Sequence, residues 1–151
     1  MSPVNAYLTF NGNAAEAMRT YERVLKAKMQ ALMTFAEAPD MGMAPPEGCA
    51  ELAPGSENRV MHACLVFEGG GMIMASDTMV GQPYEGMKGF GVALSCVSND
   101  EARRVFDTFA DGGQVQMPMQ PTFWAEQFGM VTDRFGVPWL INGVAKAMPA
   151  V

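Results

Sequence analysis

Near its start the chain alternates. From Asn5 to Phe10, Ala6, Leu8 and Phe10 fall on one side and Tyr7 and Thr9 on the other, the period of a strand with one buried face. Asn11-Gly12 marks a turn. Asn13 followed by Glu16 has the form of a helix capping box, and Ala14, Ala17, Met18, Tyr21, Val24 and Leu25 then recur at helical spacing. The rhythm changes back to strand-like runs at Lys28 to Phe35, Val60 to Phe67 and Met72 to Ser76, with Glu68-Gly69-Gly70-Gly71 as the hairpin turn between the last two.

The second half repeats this order. Gly89 to Val97 reads as a strand, Ser98 with Glu101 repeats the capping box, and Ala102, Val105, Phe106 and Phe109 form the apolar stripe of a second helix that ends at Gly112-Gly113. Strands follow at Gln114 to Met119, Glu126 to Thr132 and Pro138 to Val144, the last two joined by a turn through Asp133, Arg134, Phe135 and Gly136. Setting Glu16 on Glu101 places the two units 85 residues apart. Each is β-α-β-β-β, so the predicted fold class is α+β, with two tandem βαβββ units. Residues 1–77 make the first unit, 78–88 a linker and 89–151 the second, in one compact chain. The Pro/Gly-rich, acidic stretch 36–59 is too long for an ordinary connection and reads as a lid or mobile segment.

Composition narrows the function. Hydrophobic residues make up 49% of the 151 and charged residues 17%, below the roughly 25% of an average soluble protein, so a sizeable core can be buried and disorder is excluded. The formal charge of −6, with no basic run, excludes phosphate-driven nucleic-acid binding. No apolar run approaches the roughly 18 residues needed to span a bilayer, and Met1 to Asn5 lacks the character of a signal peptide, so a soluble cytoplasmic protein is expected. Cys49, Cys64 and Cys96 are too scattered for a zinc set and read as reduced thiols. Of the 15 methionines, Met41, Met43, Met79, Met87, Met117 and Met119 fall in or beside apparent loops, as at an adaptable pocket rim, whereas Met72 and Met74 read as core filler.

The tandem units, with Asn-x-x-Glu-Ala opening the first helix at Asn13 and Tyr21 near its end, resemble the vicinal oxygen chelate superfamily, which includes glyoxalase I and bleomycin-resistance proteins. YLTFNGNAAEAMRTYERVL at 7–25, MHACLVFEGGGMIMASD at 61–77 and TFWAEQFGMVTDRFGVPWLIN at 122–142 resemble its PhnB-like branch. The resemblance implies a homodimer whose units curl their strands into open, cup-shaped mixed sheets, each cup a potential site. In metal-using relatives, His and Glu side chains from the first and last strands of each unit chelate a divalent ion that acts as a Lewis acid. Carried over by position, these ligand sites fall on Tyr7 and about Met74, and on Gly91 and about Leu140. A slip of one or two positions offers Ala75 or Ser76, and Ile141 or Asn142. None is a His or a carboxylate, so no standard metal site and no cofactor are expected. Relatives also carry a ubiquinone-pathway methyltransferase label. A nucleotide-type methyl donor needs a Gly-rich strand-to-helix turn, and Gly69-Gly70-Gly71 sits in a predicted hairpin.

Other residues offer chemistry. His62, the only histidine, is mid-strand and reads either as an acid/base group or as a hydrogen-bonded structural residue. In the family's geometry Tyr7 and Thr9 point into the cup, where Tyr7 either lines a pocket or donates a proton. Trp124, Glu126 and Phe128 alternate to one side, an aromatic wall with a carboxylate between its members; Glu126 is then either a base with a raised pKa or an exposed edge residue. Trp139 and Asn142 on the last strand, and Ser76 and Asp77 ending the fourth, are candidates for polar contacts at the cup mouth, although Asp77 and Asp133 fit better as turn caps. Phe67, Phe90 and Phe106 are assigned to the core. Gly-x-Ser-x-Gly and phosphate-loop motifs are missing.

Two functions follow. In the leading one, the cups bind a small, partly apolar ligand without turning it over, walled by Trp124, Phe128, Tyr7 and methionines. In the other, His62 and Glu126 form the acid/base pair of a lyase- or isomerase-type enzyme with a relocated or metal-free centre. The small residue Gly91 predicts that the second cup is the roomier.

Overall fold

The structure, a computed structural model, describes residues 3–38 and 52–148. The chain divides into two compact units, Met1–Glu85 and Gly86–Val151. Each is a β-α-β-β-β unit with an open, four-stranded mixed sheet, as the sequence predicts.

In the first unit, β1 (Ala6–Phe10) leads into α1 (Ala14–Val24), followed by β2 (Lys28–Thr34), β3 (Val60–Val66) and β4 (Met72–Asp77). The sheet order is β1-β4-β3-β2. β1 and β4 run parallel and the other pairs antiparallel. The parallel pair exists because the chain must cross over before its last strand can return beside its first. Leu8 and Phe10, Ala63 and Leu65, and Ile73 and Ala75 are buried on the face covered by α1. The helix meets them with Ala14, Ala17, Met18, Tyr21 and Val24. Burying each large side chain in this layer contributes roughly 2 kcal/mol, which exceeds any intrinsic helix propensity in the segment.

The Asn13–Glu16 capping box is not how α1 begins. The Asn13 side chain makes no cap hydrogen bond. Instead Asp77, at the end of β4, reaches the helix start: its Oδ1 accepts from the N–H groups of Gly12 (2.8 Å) and Ala14 (3.0 Å), and its Oδ2 from Val60 N–H (2.9 Å). Asp77 is therefore no turn cap but a buried clasp joining β4, α1 and β3. Its carboxylate also suits the positive end of the helix dipole. The far end of α1 closes with Lys26 in the left-handed region (φ 53°).

The second unit repeats the path with β5 (Val92–Ser95), α2 (Asn99–Ala110), β6 (Gln114–Gln120), β7 (Phe128–Thr132) and β8 (Pro138–Asn142), in the order β5-β8-β7-β6. Ser98 caps α2 by accepting from Glu101 N–H (3.1 Å), while the Glu101 carboxylate accepts from Val97 N–H (3.1 Å), one residue earlier than an ideal capping box. α2 buries Ala102, Val105, Phe106 and Phe109. Glycine ends the helix as predicted, with Gly112 at φ 74°.

Several boundaries move. The first strand of this unit is shorter than Gly89 to Val97, so Phe90 lies ahead of it and is 48% exposed rather than in the core. Phe106 is buried and Phe67 half-buried. Met117 and Met119 belong to β6, not to a loop. Met41 and Met43, and most of the predicted lid, lie outside the described residues. The two hairpin turns form as expected, at Phe67–Gly71 and Asp133–Val137.

Candidate functional site

The strand alternation that buries Leu8 and Phe10 under α1 turns Tyr7 and Thr9 to the opposite face of the first sheet. Tyr7 pairs with Met74 and Thr9 with Ser76 across the β1–β4 ladder. Cys64 pairs with Met74 across β3–β4, and His62 with Met33 across β2–β3. Cross-strand partners share a face. One face therefore collects Tyr7, Met74, Cys64 and His62, with Thr9 and Ser76 beside them.

Side chains on this face converge. Strands β1 and β3 are separated by β4, so their backbones lie about 10 Å apart. Yet the Tyr7 and His62 rings approach to 6.2 Å between centroids, tilted by 32°. The two rings lean towards each other over β4, the strand that carries Met74. Tyr7 remains 49% exposed. Cys64 Sγ donates to Gln30 Oε1 (3.6 Å), and burial pushes its thiol pKa up. At the edge of the sheet, Tyr84 donates to the Thr9 carbonyl of β1 (2.9 Å). Burial first, and the Asp77 charge second, hold the Tyr84 phenol above its usual range.

In the second unit, Phe128 pairs with Asn142 and Met130 with Leu140, on the face away from α2. Trp124 packs edge-on against Phe128 (5.0 Å) and donates its indole N–H to Asn142 Oδ1 (3.0 Å). Three expected residues, Trp124, Phe128 and Asn142, are thus brought together. Glu126 is not among the aromatics. It is exposed, and its carboxylate accepts from Asn99 Nδ2 (2.7 Å), because β7 begins only at Phe128 and the segment before it does not hold strand alternation.

Trp139 also departs from expectation. It is 1% exposed, stacks on Phe109 of α2 (4.9 Å) and donates to Asp133 Oδ2 (2.9 Å). Residues 139 and 142 are an odd number apart on one strand, so they point to opposite faces, and Trp139 belongs to the core. Asp133 does cap its turn, with Oδ1 accepting from Phe135 (2.9 Å) and Val137 (3.0 Å) N–H. Asp77 is likewise drawn into the core side and does not reach the open face. Nor is the Gly91 side roomier: the position a side chain at 91 would take is already filled by Leu140 Cδ1.

The fold defines a class: tandem βαβββ units, each with a four-stranded mixed sheet covered by a helix on one face. Residues 4–141 match the Glyoxalase/Bleomycin resistance protein/Dioxygenase superfamily, and the chain belongs to that family. It is 37% identical to Protein YjdN of Escherichia coli strain K12 over 147 residues, 97% of this chain and 98% of that protein. Among solved structures it is similar to protein PA1353 from Pseudomonas aeruginosa, at 42% identity and TM-score 0.79, covering 94% of this chain and 97% of that one. The PhnB protein from Bacillus cereus, named for 3-demethylubiquinone-9 3-methyltransferase, shares the fold at 23% identity and TM-score 0.72, covering 93% and 98%.

The family's divalent-metal chemistry does not fit the donors present. Tyr7 and Met74 stand side by side in register, as the ligand positions of the first unit require, but offer a phenol and a thioether. Gly91 and Leu140 touch, as those of the second unit require, and offer no donor at all. Among the described residues no group of three or more His, Cys, Asp or Glu side chains is placed to hold an ion. Gly69, Gly70 and Gly71 lie in the β3–β4 hairpin, away from any strand-to-helix turn.

Proposed function

We propose that the chain is a small-molecule binding protein of glyoxalase/bleomycin-resistance type, holding a partly apolar ligand on the open face of its first sheet without chemical turnover. The observation that carries this reading is the closing of the Tyr7 and His62 rings to 6.2 Å over β4. Two converging rings, with Met74 in register beside Tyr7, give a mainly apolar wall, and Thr9, Ser76 and the imidazole supply the few polar groups that orient a ligand. The Trp124–Phe128 pair, with Asn142 held by the indole, offers a second apolar wall in the other unit.

The test is a ligand screen by thermal unfolding that includes hydrophobic aromatic and peptide-like compounds, since a ligand bound only by the folded chain raises its stability. Stabilisation that is lost in Tyr7→Ala and Met74→Ala supports the reading. Failure of every compound to bind at saturation, while a small-molecule turnover assay succeeds, overturns it.

A homodimer in the cytoplasm belongs to the same proposal. Support for the dimer comes from the sheets' own edge strands and from the exposed Phe90, Val97 and Phe123. The free thiols of Cys64 and Cys96 suit a reducing compartment. A monomeric mass at micromolar concentration refutes the dimer.

A further inference from the structure

The open face of the first sheet holds sulfur and nitrogen donors that the ligand-binding reading uses only as wall. Cys64 and Met74 are directly opposed across β3–β4. His62 precedes Cys64 by two residues on β3, so both side chains leave the same face. Opposed side chains start about 5 Å apart at Cβ, and neighbours two along a strand about 7 Å apart, within reach of a shared ion. The approach of the His62 ring to Tyr7 draws the imidazole over β4, the strand that carries Met74. The Cys64 thiol donates to the amide oxygen of Gln30 at 3.6 Å, a partner easily exchanged.

The donor set is a thiol, an imidazole and a thioether, with no carboxylate. Hard divalent ions prefer oxygen, whereas thiolate and thioether sulfurs select Cu(I). We propose that Cys64, Met74 and His62 bind one soft monovalent cation of the Cu(I) type. The bond formed is Cu(I) to the Cys64 thiolate, the thiol proton passes to solvent, and the metal keeps its oxidation state. The site shares only Met74 with the four positions that chelate metal elsewhere in the family, and its chemistry is soft where theirs is hard. It does not depend on the presence of an organic ligand.

The experiment is an anaerobic titration of the reduced full-length chain with Cu(I) held by bicinchoninate, read by loss of the chelator's colour and by the ultraviolet thiolate-to-copper band. Thermal unfolding with Ag(I) or Zn(II) runs in parallel. The expected result is transfer of about one ion per chain with the thiolate band, and stabilisation by Ag(I) but not by Zn(II). Affinity should fall about a hundredfold in Cys64→Ser and about tenfold in Met74→Leu or His62→Ala, while Cys49→Ser and Cys96→Ser bind as the parent does. Metal-free melting of each variant shows that it is folded. No transfer, transfer that survives Cys64→Ser, transfer that follows Cys49 or Cys96, or equal stabilisation by Zn(II) overturns the proposal. The organic-ligand reading is tested separately, because an organic ligand that stabilises Cys64→Ser binds without copper, and its failure to bind leaves the copper result untouched.

Discussion

The two units share a topology and differ in how side chains secure it. Both sheets run first, last, third, second in strand order, with a helix covering one face. In the first, a single carboxylate from the last strand, Asp77, ties the helix start and β3 together. In the second, Ser98 caps α2, while Asn99 Oδ1 accepts from Val144 N–H beyond the last strand (2.9 Å). The helix ends differ too, Lys26 standing where the second unit has Gly112. The open faces diverge furthest, a converging pair of rings over Met74 against a Leu140 that fills the space above Gly91. The repeat is thus a repeat of backbone order. Its fastenings and its faces are free to separate, because hydrogen-bond ladders do not depend on which side chain stands above them.

The comparison breaks most visibly at the clasp. Asp77→Ala leaves three backbone N–H groups without their acceptor and should cost about 4 kcal/mol, read by urea unfolding, against about 1 kcal/mol for Asn99→Ala, which removes a more exposed contact. Equal losses would mean that the two units are fastened alike. Next come the glycines. Gly129→Ala pushes a methyl to 2.7 Å from Phe106 and Met119 in the packed layer under α2 and should cost about 2 kcal/mol. Gly91→Ala meets only the tip of Leu140, which can rotate away, and should cost less than about 1 kcal/mol.

A chemical probe separates Cys96 from an ordinary thiol. Burial first and Glu101 second, partly offset by Arg104, raise its pKa from 9.0 to about 11. Alkylation at pH 8 should therefore run about a hundredfold slower in the folded protein than after unfolding, as the thiolate is the nucleophile. The same shift sets a sign for stability. Below pH 9 the thiol is neutral in both states and its contribution is complete; between pH 9 and about 11 the unfolded chain ionises first, so stability falls as pH rises. The smallest effect concerns the helix ends. Lys26→Gly should stabilise by about 0.5–1 kcal/mol, since only the lysine suffers from a left-handed backbone.

Much of this was legible in the chain. The α1 stripe and the second-unit stripe Ala102, Val105, Phe106 and Phe109 are buried as their spacing demands. Alternation correctly sends Tyr7 and Thr9 to the open face. Alternation also places Trp139 opposite Asn142, so that its assignment to the cup mouth was a misreading of a signal already present. Asp77 was not legible: a carboxylate ending a strand looks like a local turn cap, and its partners lie 17 to 65 positions away. Glu126 failed for a related reason, as the segment before Phe128 departs from strand geometry. The convergence of His62 on Tyr7 lay beyond sequence, because it depends on how β1 and β3 flank β4.

The sequence by itself determined the tandem units and the apolar faces of both helices and of the first strand. These follow from period and residue type, which are local. Tertiary structure decided what holds α1 in place, which aromatic residues are walls and which are core, and which donors share a face. Those depend on strand order and register, and pairing brings together residues whose separation along the chain carries no trace of their contact.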